Sequence, residues 1–149
     1  MKRTIWSGAV VLAALAGAAC AGERDAIVGR WHTTDQKSII EIEQNDGEFN
    51  GRIVGLKQPL TPEGKPKNDH NNPDPARRAD SIVGLKLVWG FKHKKGRTWG
   101  GGRIYDPDNG KTYYCKLKLK GDKLTVRGSL DRWGMAGRTV RWTRVKDVE

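Results

Sequence analysis

The stretch GRIYDPDNGKTYYCKLKLK, residues 102–120, decides the fold of this chain. From Tyr113 to Leu119, aromatic and apolar residues alternate with polar ones, which is the period of two typical of a β-strand with one buried face. Residues 106–110 (Asp-Pro-Asp-Asn-Gly) are turn formers, and glycine readily takes the positive φ that a tight hairpin needs. The stretch therefore predicts two antiparallel strands joined by a short turn.

Similar strand signals continue on both sides of this hairpin. The predicted strands are residues 27–33, 37–44, 49–56, 82–91, 98–105, 112–119, 124–130 and 138–145. About eight strands joined mostly by short turns build an antiparallel meander, whose exposed edges disappear when it closes on itself. Glycines inside strands, such as those at residues 100–102, indicate strong curvature. We therefore predict an all-β fold, a single antiparallel up-and-down β-barrel, rather than a sandwich.

The N-terminus has the sequence pattern of an export signal. Lys2 and Arg3 precede an uncharged stretch rich in small and apolar residues, and charge resumes at Glu23. A basic start, a short apolar core and a small-residue exit are typical of a secretory signal peptide. We predict a signal peptide at residues 1–21 and one barrel domain at residues 22–149, located in the periplasm or secreted.

The position of signal-peptide cleavage decides how many cysteines the mature chain contains. The tripeptide that ends at Ala21 fits ordinary signal peptidase. Alternatively, Cys20 is the lipid-modified residue of a lipoprotein, although such sites favour Leu three residues earlier, where this chain has Gly17. Cleavage after Ala21 leaves Cys115 alone, so the domain must be stable without a disulfide. The alternation around Cys115 predicts a half-buried apolar residue.

The chain is strongly basic, with a formal net charge of +11 that falls to +9 when Lys2 and Arg3 are removed. Such charge favours anionic partners. The basic residues are spread over many predicted strands and turns. This argues against binding to nucleic acid, because nucleic-acid-binding proteins usually cluster their basic residues in one patch. One hypothesis is therefore an envelope protein that binds acidic glycans or anionic lipids through its surface.

A polar segment, residues 57–80, interrupts the strands and contains the best cluster of functional groups. Asp69, Asn72 and Asp74 are followed closely by Arg78. The cluster suggests a cation site, but its spacing does not match a calcium loop, so we predict no bound metal. It also fits a loop that ties itself together through side-chain hydrogen bonds, or a lid at the barrel mouth. We include these four residues in a predicted ligand site.

Aromatic residues supply the rest of that predicted site. Most should fill the barrel, but Trp89, Trp99 and Tyr113 are candidates to line a pocket at its mouth, because ligand sites are mainly aromatic with a few polar groups. No catalytic motif is present, so we predict no catalytic residues and no cofactor. The main hypothesis is a monomeric, non-enzymatic protein that binds a small apolar or amphipathic molecule. An enzyme is the third alternative.

Two ends of the chain carry a family resemblance. Gly29 and Trp31 resemble the Gly-x-Trp signature of the lipocalin and calycin barrels. In those barrels the Trp plugs one end, and an Arg from the last strand packs across its ring. The resemblance implies that role for Arg144.

The whole of residues 28–144 resembles an uncharacterised bacterial secreted family, domain of unknown function family 2147. This resemblance implies a calycin-like barrel outside the cytoplasm and no established activity. It is carried by Gly29-x-Trp31, Gly51-Arg52-Ile53-Val54, Asp69-x-x-Asn72-Pro73-Asp74, Arg78, Gly84-Leu85, Gly102-x-Ile104-Tyr105-Asp106-Pro107, Gly110-Lys111-x-Tyr113, Arg127-Gly128, Gly137-Arg138 and Trp142-x-Arg144.

Overall fold

Within residues 22–147, eight strands and one turn of 3₁₀ helix make up the fold, and residues 22–24 are helical. The computed structural model describes residues 22–147, so the predicted signal peptide and Cys20 lie outside the described residues. The strands are β1 (Gly29–His32), β2 (Ser38–Asn45), β3 (Glu48–Leu56), β4 (Lys86–His93), β5 (Thr98–Asp106), β6 (Lys111–Lys120), β7 (Lys123–Ser129) and β8 (Gly137–Arg144). The 3₁₀ turn spans Pro75–Arg77 between β3 and β4.

The strands form a closed barrel in sequence order, each antiparallel to its neighbours. The hairpin predicted for residues 102–120 is present, with Asp106 paired to Lys111 across the turn. The short β1 closes the barrel against β8, where Trp31 is paired with Arg144. The predicted single up-and-down barrel is confirmed. No helix within residues 22–147 has the length and apolar character to cross a bilayer.

The largest error in the predicted strand boundaries is at the start of β4. The strand expected from Ile82 begins at Lys86, because the residues before it follow a different path. The Gly84 N–H donates to the Ile53 carbonyl, and the Ile53 N–H donates to the Leu85 carbonyl. This exchange lies outside the regular β3–β4 ladder, whose register shifts along its length. The end of the long connection is therefore tied to β3 by irregular bonds.

Side chains fill the middle of the barrel. A Cβ atom at Gly102 would lie 2.5 Å from ring carbons of Phe91, and one at Gly51 would lie 2.7 Å from Val88. These two glycines let large neighbours occupy the axis, as is typical of small barrels. Cys115 is part of this core and is buried rather than half-buried. Burial raises the pKa of its thiol to about 12, so the side chain behaves as an apolar residue.

Candidate ligand site at the open end of the barrel

One end of the barrel is closed by the chain itself. Residues 22–28 cross this end, and Ile27 is completely buried there. The Trp31 Nε1–H donates to the Ile27 carbonyl at 2.9 Å. Arg144 lies over the Trp31 ring, with its guanidinium carbon 4.2 Å from the ring centre, and donates to the carbonyls of Ala26 and Val28. The contact between Trp31 and Arg144 that the resemblance implies is therefore present.

The opposite end is built by the connections β1–β2, β3–β4, β5–β6 and β7–β8, and we call it the open end. Ile104, Tyr113, Gly128 and Val140 are half-buried at this end. A Cβ atom at Gly128 would lie 3.5 Å from Ile104 and 3.7 Å from Tyr113, so Gly128 faces into the barrel. Arg138 is paired with Gly128 and points to the same side, because directly opposed residues share a sheet face.

The long connection between β3 and β4 is organised around a buried carboxylate. Asp69 is completely buried. It accepts hydrogen bonds from the Tyr105 hydroxyl at 2.8 Å and from the Asn72 amide at 2.7 Å. Buried polar groups cost free energy unless they are hydrogen-bonded in this way. The side-chain oxygens of Asp69 therefore stabilise the connection and bind it to Tyr105 of β5.

The other polar residues of the connection also bond locally. The Asn72 side chain accepts from the Asp74 N–H, and Asp74 caps the 3₁₀ turn by accepting from the Ala76 N–H. The Arg78 Nε donates to the Asn72 carbonyl at 2.8 Å. These bonds fit the interpretation in which the loop ties itself together. In residues 22–147, no group of three or more His, Cys, Asp or Glu side chains is placed to hold a metal ion.

A second contact fastens this connection to the β5–β6 turn. The Asn71 amide donates to the carbonyls of Pro107 and Asp108, both at 3.0 Å. The Asn71 carbonyl lies against Gly110, whose φ is +71°. The polar residues of the β3–β4 connection therefore lie beside the open end of the barrel.

Removing the Tyr105 hydroxyl should reveal this network in a pH titration. Burial, followed by the bond to Asp69, raises the pKa of Tyr105 to about 12 from an ordinary value of 10.0. Between these values the unfolded tyrosine ionises and the folded one does not, so stability falls as pH rises. At pH 8 we expect Tyr105→Phe to lower the free energy of unfolding by about 1–3 kcal/mol, because Asp69 loses a donor.

Urea unfolding of both proteins from pH 8 to 11 checks this prediction. The wild type should lose stability above pH 10 faster than Tyr105→Phe, which carries no titrating hydroxyl, so the difference between them should narrow. A constant difference in the free energy of unfolding between the two proteins across this pH range would contradict the raised pKa of Tyr105.

The seven residues predicted to contact ligand do not form one site. Trp99 lies at the closed end, 1% exposed, and its Nε1–H donates to the Arg24 carbonyl. Trp89 is half-buried and paired with Arg103 on the outer surface. Tyr113 alone of the three aromatics lies at the open end, where its hydroxyl accepts from the Asn109 amide. The ligand role of these residues stays a prediction.

Neither of two grooves on the surface of residues 22–147 is lined by those seven residues. One of about 430 Å³ is at the closed end, beside Gly29, Arg30, Glu41 and Arg144. The other, of about 400 Å³, lies between β5, β6 and the β7–β8 loop. The second groove, which we call the basic groove, is lined by Gly101, Gly102, Arg103, Tyr114, Cys115, Lys116, Ser129 and Arg132.

Sequence reasoning missed two features of the open end. Gly128 and Arg138 belong to strands of ordinary alternation, and nothing local marks them as rim residues. They are opposed only through the β7–β8 register. The lone glycine inside the β7 pattern was the available signal, since such a glycine marks a close approach or a missing side chain.

A closed eight-stranded up-and-down barrel with a Trp–Arg plug defines the lipocalin-like class of proteins. A family model described as "Uncharacterized protein conserved in bacteria (DUF2147)" matches residues 29–144, and the chain belongs to this family. The chain is also similar to a solved structure, protein HP1028 from Helicobacter pylori, which is described as belonging to the lipocalin family. That likeness has 27% identity, a TM-score of 0.72 and coverage of 81% of this chain and 84% of that chain. No curated protein matches.

The predicted family and fold are thus confirmed. A lipocalin-like fold suggests a ligand-binding role, and it is typically a binding rather than a catalytic fold.

Proposed function

We propose that this protein is an exported, monomeric binding protein that holds a small apolar or amphipathic molecule at the open end of its barrel. The difference in burial between the two ends carries this proposal. Trp31 and Leu124 at the closed end are completely buried, whereas the inward-facing Ile104, Tyr113 and Val140 remain partly exposed. Half-buried apolar residues around a barrel mouth match the usual lining of a small-molecule site.

The chemistry of the rim favours an amphipathic ligand with an anionic head. Arg138 is exposed on the inner side of the rim, and it takes part in no ion pair among residues 22–147. A guanidinium binds carboxylate or sulfonate groups through paired hydrogen bonds. The Tyr113 hydroxyl supplies a further polar atom beside the apolar floor. A chain of carbon atoms would then lie over Ile104 and Val140.

Filling the mouth tests the proposal. A Cβ atom at Gly128 would be in ordinary van der Waals contact with its nearest neighbours, Ile104 and Tyr113. Gly128→Val should therefore fold and occupy the ligand's place. We expect the affinity for 1-anilinonaphthalene-8-sulfonate, measured by fluorescence, to fall about tenfold or more, because the dye loses its apolar contacts. Dodecanoate should displace the dye from the wild type.

Thr125→Val is the matched control, because Thr125 lies on the same strand, and its partners Lys118 and Arg141 are exposed. It should bind the dye like the wild type. Native mass spectrometry of protein purified after export adds a direct search for a retained ligand. Unchanged dye binding by Gly128→Val would refute the proposed site, and no binding of dye or fatty acid by the wild type would refute the function.

A second candidate function is binding to an anionic component of the cell envelope. Strands β6, β7 and β8 contain no Asp or Glu. We call their outward basic residues the basic face: Lys116, Lys118, Lys120, Lys123, Arg127 and Arg141. Among residues 22–147 none of the six forms an ion pair. Envelope association that weakens as salt is raised would support this function, because exposed charges are screened.

A further inference from the structure

The β7–β8 loop, residues 130–136, exposes large apolar side chains. Leu130, Trp133 and Met135 are 69%, 77% and 85% exposed, which is more than any other large apolar side chain described in residues 22–147. A single exposed apolar residue is ordinary, but three on one short loop mark an interaction site. We call these three side chains the apolar tip.

The loop is held in shape without help from the apolar tip. The Asp131 carboxylate accepts from the N–H groups of Met135 and Ala136, and Leu130 N–H donates to the Ala136 carbonyl. Arg127 donates twice to the Gly134 carbonyl. The backbone is therefore satisfied internally while the apolar side chains point into solvent, ready to contact a partner.

Positive charge surrounds the apolar tip. The basic groove, with Arg103, Lys116 and Arg132, lies next to the loop, and the basic face continues from it along the barrel. The Asp131 carboxylate is the acid within the loop, and it is occupied by the backbone bonds described above. Apolar side chains beside unpaired cations are the pattern of proteins that lie on an anionic membrane surface.

We propose that the apolar tip inserts into a bilayer of anionic phospholipids while the basic groove contacts the headgroups. This inference rests on the second candidate function and names its partner and its anchor. Trp favours the headgroup level of a bilayer, because its ring is apolar and its N–H is polar. Three side chains on a projecting loop cover less than the roughly 800 Å² per partner of a stable protein interface. A deformable bilayer suits them better than a second protein.

Sedimentation with vesicles tests the proposal, using protein purified after export. The wild type should bind vesicles that contain phosphatidylglycerol and phosphatidylcholine, and it should not bind pure phosphatidylcholine or retain binding at high salt. Trp133→Ser should weaken binding about tenfold or more, because the most interfacial side chain is removed. Lys116→Gln with Arg132→Gln should weaken it about fivefold for each charge.

Val28→Ser is the control, because Val28 is an exposed apolar residue at the closed end. It should bind like the wild type. Full salt-sensitive vesicle binding by Trp133→Ser would overturn the insertion while leaving the anionic envelope function intact. No binding to anionic vesicles would overturn the proposal, and binding to dextran sulfate instead would assign the basic face to a soluble polyanion.

Discussion

Trp31→Ala is expected to lower the free energy of unfolding by about 3–5 kcal/mol, measured by urea unfolding at pH 7. Trp31 is completely buried at the closed end, so its removal leaves a cavity under residues 22–28. It also leaves the Ile27 carbonyl without its donor and the Arg144 guanidinium without the ring beneath it. A typical domain has a stability of only about 5–15 kcal/mol, so the loss should be large enough to affect yield.

Trp133→Ala is the matched control for this prediction. It removes the same side chain from a position that is 77% exposed, where little packing is lost. Its effect on the free energy of unfolding should stay within about 0.5 kcal/mol. Equal losses for the two variants would show that Trp31 does not close the barrel.

Gly110→Ala is expected to cost about 3 kcal/mol and to release the long connection from the β5–β6 turn. Gly110 has a φ of +71°, which an L-residue adopts only with strain. In addition, the new Cβ would collide with the Asn71 carbonyl oxygen, so Asn71 must move. That movement breaks the Asn71 bonds to Pro107 and Asp108. Urea unfolding measures the stability, and limited proteolysis of residues 57–85 reports the release.

Gly121→Ala is the control that separates the cost of backbone strain from the cost of the collision with Asn71. Gly121 also has a positive φ, +56°, but a Cβ there would meet nothing within 4 Å. It should therefore cost only about 1–2 kcal/mol and leave the protease pattern unchanged. If both variants lost the same stability and neither exposed residues 57–85, the contact with Asn71 would not hold the connection.

The barrel could be predicted because its signals are local. Alternation from Tyr113 to Leu119 and the turn at residues 106–110 specify a hairpin without reference to the rest of the chain. Ile40 and Ile42, which are two residues apart in the strand predicted at residues 37–44, are both buried. The predicted start of β4 was wrong because Gly84 and Leu85 form hydrogen bonds with Ile53, a partner far away in sequence.

The candidate site was less predictable, because its contacts also join residues that are far apart in sequence. From the sequence, Asp69 and Asn72 were predicted to bind a ligand. Carboxylate and amide groups can equally well bind a ligand or stabilise a loop. Their role within the loop depends on Tyr105, which arrives from another strand. Trp99 and Tyr113 are both aromatic residues in strands, yet β5 begins at the closed end and β6 begins at the open end.

The sequence by itself determined the strands, their order and the family, because side-chain period, turn chemistry and the Gly29-x-Trp31 signature are readable along the chain. Only the tertiary structure decided that residues 22–28 cover the end at Trp31, which polar groups are buried and which cations share a surface. Closure sets neighbours through strand register, so Arg138 meets Gly128 and the basic groove forms beside Trp133. Such contacts join residues from different strands, and no local pattern specifies them.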